Sequence, residues 1–140
     1  MSTALRTLAA TFAGMFVAFM LVVALELFSS VVHPLPDGFG GTREEMCLHV
    51  ERYPNWVLAL VVPAWGVAAF VGAWTAQRIG NLCSFAIVGA LLLAALVFNV
   101  SMLPYPMWFK IVNLLVIPGA IFLGRRLSVR RKTTNSGEAG

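Results

Sequence analysis

Charged residues are scarce in this sequence. They make up only 11% of its 140 residues, whereas hydrophobic residues make up 59%, and the mean hydropathy is +0.84. Between Arg6 and Asp37 the only charged residue is Glu26. Because about a quarter of the residues in an ordinary soluble domain are charged, this composition excludes a soluble globular domain and indicates a membrane protein.

Cysteine and histidine are scarce as well, with two residues of each type. No Cys-x-x-Cys motif is present, so a thiol oxidoreductase has no support. His33, Cys47 and His49 could supply ligands to zinc or copper, but Cys47 and His49 are two positions apart, which on a helix directs them to opposite faces. We therefore predict no metal site and no cofactor. We also expect no enzyme activity, because neither paired carboxylates nor a nucleophile beside a base is evident.

Four long apolar runs occupy most of the chain, at about residues 7–32, 56–77, 82–103 and 108–123. A helix needs about 20 residues to cross a hydrocarbon core of roughly 30 Å, so the first three runs are long enough and the fourth is near the lower limit. The first run lacks a small-residue cleavage site at its end, and we interpret it as a retained helix rather than a signal peptide. The prediction is one membrane domain over residues 1–140, an all-α four-helix transmembrane bundle.

The basic residues set the predicted orientation of this bundle. Three of the ten fall on one side, at Arg43, Arg52 and Lys110, and seven on the other, at Arg6, Arg78, Arg125, Arg126, Arg130, Arg131 and Lys132. The positive-inside rule then places both termini in the cytoplasm, which is an N-in/C-in topology. We interpret the basic tail, residues 124–140, as a cytoplasmic anchor at anionic lipid headgroups rather than as a nucleic-acid motif.

The predicted outer loop, residues 33–55, contains a helix signal. Its first part is rich in proline and glycine, which is typical of a loop. Thr42 followed by Glu45 then fits a capping box, and Pro54 stops the helical pattern. The sequence therefore predicts a short amphipathic helix over about residues 43–52, lying on the outer surface.

Small residues recur every four positions in three of the predicted membrane helices. The stripes are Ala10, Gly14 and Ala18 in the first, Ala68, Gly72 and Ala76 in the second, and Ala86, Ala90 and Ala94 in the third. Such stripes let helices approach closely in lipid. We therefore expect a tightly packed bundle.

Polar side chains gather in the outer half of the predicted bundle. Glu26, Ser30 and His33 are spaced i, i+4, i+7 and share one helix face. Asn113 lies only roughly 18 Å above the cytoplasmic edge and needs a partner inside the bundle. One hypothesis is an outward-facing polar pocket; the alternative is that the amides join helices and that Glu26 and His33 are interface residues. The candidate ligand-binding residues are Glu26, Ser30, His33, Asn99, Tyr105, Trp108 and Asn113.

Three segments carry a resemblance to known proteins. They are VVHPLP after the glutamate-bearing first helix, FVGAWTAQRIG at the end of the second, and NVSMLPYPMWF between the third and fourth. Together they resemble a group of small four-helix bacterial inner-membrane proteins. The resemblance implies this topology and a location in the bacterial inner (cytoplasmic) membrane, but no activity. Small multidrug transporters also carry a glutamate in the first of four short helices, but theirs lies near mid-membrane before a very short loop, so we reject a close match.

Two functions agree with these patterns. One is the binding or transport of a small molecule or cation through the outer pocket, with Glu26 as the cation-responsive group. The other is an accessory or scaffold subunit that packs against a larger membrane partner and has no substrate of its own. The expected partners are the lipid bilayer and, because so small a chain buries little surface, a second copy or a larger membrane complex. No nucleic-acid partner is expected.

The topology predicts the labelling of the two cysteines. In intact cells, a membrane-impermeant maleimide should modify Cys47, which lies in the outer loop, and should spare Cys83, which lies near the cytoplasmic face. The variants Cys83→Ser and Cys47→Ser isolate each site, and permeabilised cells provide the control in which Cys83 also reacts. The reverse labelling pattern would overturn the orientation.

Overall fold

A computed structural model describes residues 2–137 of the chain, with side chains over residues 2–129. Within these residues the protein is entirely α-helical, and no strand is present. The helices are α1 (Thr3–Val32), α2 (Arg43–Glu51), α3 (Asn55–Ile79), α4 (Leu82–Met102) and α5 (Met107–Gly137). The side chains from residue 130 onward, which belong to the predicted basic tail, lie outside the described part.

Four of the five helices are long and apolar enough to cross a membrane. These spans are Thr3–Val32, Asn55–Ile79, Leu82–Met102 and Met107–Val129. The prediction of an all-α protein with four potential membrane helices is confirmed. The last helix continues to Gly137, past the predicted end at residue 123. The apolar run marks where a membrane span ends, whereas the Arg and Leu residues that follow it favour continuation of the helix.

The helix starts follow local capping chemistry. Thr42 and Glu45 form the expected capping box at the start of α2, since the Thr42 hydroxyl accepts from the Glu45 backbone N–H and the Glu45 carboxylate accepts from that of Thr42. These hydrogen bonds lower the pKa of Glu45. Asn81 caps α4 in the same reciprocal way with Ser84. Backbone donors at both helix starts are therefore satisfied by the chain itself.

Helix α3 is the centre of the bundle. It packs along α1 and along α5, and α4 contacts all three, whereas α1 and α5 share no contact over the described residues. Half of the most apolar window of α3 is buried, compared with 17% for α1. The short helix α2 lies at one end of the bundle, and the α3–α4 turn lies at the opposite end.

Glycines bring α1 and α3 into backbone contact. A Cβ atom at Gly72 would lie 2.8 Å from the Cβ of Ala18 and 2.9 Å from the carbonyl oxygen of Gly14. The first two predicted stripes therefore face each other and pack closely. The third stripe, at Ala86, Ala90 and Ala94, is exposed on α4 among the described residues.

Hydrogen bonds fasten the start of α1 to the α3–α4 turn. The Asn81 amide donates to the Thr7 hydroxyl at 2.8 Å, and Arg6 Nε donates to the carbonyl oxygen of Ile79 at 2.8 Å. The Ser84 hydroxyl contacts the Ala76 carbonyl oxygen at 3.0 Å. This end of the bundle is therefore closed by both side-chain and backbone groups.

Gly72→Leu tests the contact between α1 and α3. The added side chain meets backbone and Cβ atoms that cannot move without separating the helices. We expect the free energy of unfolding to fall by about 3 kcal/mol, measured by thermal or denaturant unfolding in detergent. Gly119→Leu is the matched control, because a Cβ there meets no atom within 4 Å. Equal stability of the two variants would contradict the packing.

Candidate functional site

A cavity of about 420 Å³ lies beside α2 at one end of the bundle. We call it the α2 cavity. Helices α1, α2, α3 and α4 and the α4–α5 connection all contribute to its wall. Its polar and aromatic lining consists of Glu26, Ser29, Ser30, His33, His49, Tyr53, Trp65, Asn99 and Tyr105.

The structure brings together five of the seven residues singled out in the sequence. Glu26, Ser30, His33, Asn99 and Tyr105 all line the α2 cavity. The shared face of α1 explains the first three, since α1 is an unbroken helix through Val32 and His33 follows it directly. Tyr105 reaches the cavity from the segment between α4 and α5.

The other two residues, Trp108 and Asn113, do not line the α2 cavity. Trp108 is 38% exposed and packs edge-on against Phe109. Asn113 is fully buried, and its amide donates to the carbonyl oxygen of Phe109 in the preceding turn at 2.9 Å. Helix α5 packs against α3 and α4 but makes no contact with α1, and this separates Asn113 from Glu26.

Two imidazoles and a phenol join α2 to the end of α1. The rings of His33 and His49 stack with centroids 4.3 Å apart, and Tyr53 lies 4.5 Å from His33 and 5.4 Å from His49. His33 Nε2 also lies 3.2 Å from the carbonyl oxygen of His49. Burial, and secondly the neighbouring His33, lower the pKa of His49. His49 is therefore a neutral ring at pH 7.

Glu26 supplies the negative charge of the α2 cavity. Burial raises the pKa of Tyr53, the Glu26 carboxylate raises it further, and a hydrogen bond with the Ser29 side chain partly offsets both. Burial, then Glu26 and then Tyr53 hold the pKa of Tyr105 well above its usual value. Both phenols therefore keep their protons, and both lie within the electric field of Glu26. None of the lining residues is lysine or arginine.

Trp65 forms an aromatic wall with Tyr105 and Phe109. The Trp65 ring meets Tyr105 edge-on at 6.5 Å and Phe109 at 5.6 Å, and Tyr105 lies 4.7 Å from Phe109. Trp65 Nε1 and Asn99 Oδ1 are buried without a hydrogen-bond partner. One is a donor only and the other an acceptor only, so the two groups have complementary hydrogen-bonding capacity.

Sequence reasoning missed His49, Tyr53 and Trp65 as lining residues. Met46, Val50 and Tyr53 recur at helical spacing in the loop, and all three line the α2 cavity together with His49. That periodicity was the available signal for the inner face of α2. A tryptophan in a membrane helix carries no comparable signal, because packing alone explains it in most helices.

No group of three or more His, Cys, Asp or Glu side chains that could hold a metal ion occurs in the part of the chain the structure describes. His49 lines the α2 cavity, whereas Cys47 does not. The cysteines are free, with Cys83 exposed and Cys47 half-buried.

Comparisons with protein-family models, with curated proteins and with solved structures gave no match.

Proposed function

We propose that this chain is a small multi-pass membrane protein that binds a small organic cation in the α2 cavity. The observation that carries the proposal is the charge of the lining. Glu26 is its only carboxylate, and no lysine or arginine accompanies it. A carboxylate at the surface of a protein attracts a cation more strongly than it would in bulk solvent.

The aromatic lining favours an organic cation over a metal ion. Tyr53, Trp65 and Tyr105 line the same cavity as Glu26. A cation over such rings gains about 0.5–2 kcal/mol, and methylated ammonium groups are commonly bound in this way. The volume of about 420 Å³ also falls in the range of small-molecule sites. The described residues contain no group of three or more His, Cys, Asp or Glu side chains that could hold a metal ion.

In the proposed topology, the α2 cavity lies on the outer side of the membrane. With both termini in the cytoplasm of a bacterial inner membrane, α2 and the α2 cavity face outward, as the distribution of basic residues supports. Glu26 lies in the last two turns of α1, where a tilted helix keeps it below the membrane surface but within reach of an outside ligand. Binding there is also the first step that transport of the same cation requires.

Glu26→Gln tests the proposed counter-ion. We expect it to weaken binding of tetramethylammonium by about tenfold or more, because the amide has the same shape but no charge. Calorimetric titration of the protein in nanodiscs measures the affinity, and native mass spectrometry of both forms reports any ligand retained from the cell.

Glu51→Gln is the matched control for this experiment. Glu51 is exposed at the end of α2 and does not line the α2 cavity. Its substitution should leave the affinity unchanged. The proposal fails if Glu26→Gln binds as tightly as the wild type, or if both variants lose the same affinity through the overall charge of the loop.

The exposed stripe on α4 favours a second candidate function. Ala86, Ala90 and Ala94 form a face of small side chains that is exposed in the part of the chain the structure describes. In lipid such a face is a packing surface for another helix. This supports a scaffold or accessory subunit that joins a second copy or a larger membrane partner.

Ala90→Leu tests the scaffold function. The larger side chain would hold a partner helix away from α4, so we expect loss of the dimer or of the co-purifying subunit. Size-exclusion chromatography with light scattering measures the assembly. Ala24→Leu, at an exposed position of α1, should leave it intact. An unchanged assembly in Ala90→Leu would exclude this face as the contact.

A further inference from the structure

A second cavity, of about 250 Å³, opens between α1 and α4. We call it the lateral groove. Met15, Phe19 and Val22 line it from α1, and Leu92, Ala95 and Leu96 from α4. Phe19 is 60% exposed and Ala95 is exposed as well, so the groove is open at the side of the bundle. On a membrane-spanning helix pair, that side faces lipid chains.

The lateral groove and the α2 cavity share two lining residues, Trp65 and Asn99. Trp65 Nε1 and Asn99 Oδ1 are two of the six buried side-chain polar atoms without a hydrogen-bond partner in the described residues. Apart from these two side chains, the groove is lined by apolar residues alone. The two spaces are therefore neighbours that share the Trp65 and Asn99 side chains, and the lining changes from charged at Glu26, through polar at these two residues, to apolar along α1 and α4.

We propose that the ligand is a cationic amphiphile, with its ammonium head in the α2 cavity and a single hydrocarbon chain in the lateral groove. This inference rests on the proposed function and names the class of its ligand. A hydroxyl, ester or amide beside the head would lie at Trp65 and Asn99, where it could accept from the indole N–H or donate to the amide oxygen. Such a molecule reaches the site sideways from the bilayer.

The lining of the two neighbouring spaces favours this ligand over other occupants. A hydrophilic cation would fill the α2 cavity but leave the apolar groove to lipid. An uncharged lipid chain would fill the groove but leave Glu26 without a counter-ion. Only a molecule with both parts matches the change from charged to polar to apolar lining.

Chain length is the measurement that tests the inference. Tetramethylammonium and hexyltrimethylammonium carry the same head, and only the second has a chain for the groove. In nanodiscs, with partition into empty nanodiscs subtracted, the hexyl compound should bind at least about tenfold more tightly, since each buried methylene is worth about fourfold. Equal affinities would overturn the inference and leave the proposed function standing.

Ala95→Phe tests whether the hydrocarbon chain of the ligand lies in the lateral groove. The ring would fill the groove from α4, so hexyltrimethylammonium should lose about tenfold in affinity while tetramethylammonium stays within about twofold. Retained binding of the short probe shows that the variant is folded. Val22→Phe fills the groove from α1 and should act alike, and Ala24→Phe, outside both spaces, should change neither affinity.

The outcomes separate the two proposals. If both groove variants keep the full affinity for the hexyl compound, the chain lies elsewhere and the inference is wrong, although Glu26 can still bind the head. If the wild type binds neither probe, the proposed function fails and the inference fails with it.

Discussion

The close approach of α1 to α3 is the constraint on which the rest of the structure depends. Near the start of α1 the facing residues are glycine and alanine, and Gly14 and Gly72 bring the two backbones together. Toward the other end, α3 presents Leu58, Val61 and Trp65 to the α2 cavity. Because lipid offers no hydrophobic force between helices, this change in side-chain size sets the separation. The two helices pack tightly at one end and leave space at the other.

The polar contacts reinforce this division of the bundle. Asn81, Thr7 and Arg6 fasten the tight end with side-chain hydrogen bonds. The opposite end is covered by α2, which the His33–His49 stack attaches to α1. A short helix held by ring stacking and one polar contact borders the α2 cavity without filling it. The space beside Glu26 therefore lies at this end, whereas the lateral groove opens farther along α1, from Met15 to Val22.

The sequence predicted more of the fold than of the candidate site. Apolar run lengths and caps depend on neighbouring residues, so the four long helices and the capping box at Thr42 could be predicted locally. The pairing of stripes and the direction of Asn113 depend on the rotation of each helix about its axis, which a single helix does not specify. In the site, Glu26, Ser30 and His33 share a face of one helix, whereas His49 and Tyr53 reach it only because the loop folds back.

Trp65 Nε1 and Asn99 Oδ1 are buried without a hydrogen-bond partner. They bear on whether the polar residues form a ligand pocket or only join the helices. If amides served only to join helices, each would be expected to donate and accept across an interface. Asn113 instead bonds within its own helix, and Asn99 Oδ1 has no protein partner. Burying such atoms destabilises an empty bundle by about 1–3 kcal/mol each. A ligand that satisfied them would recover this free energy on binding, so the proposed ligand, unlike helix packing alone, would give these two atoms a partner.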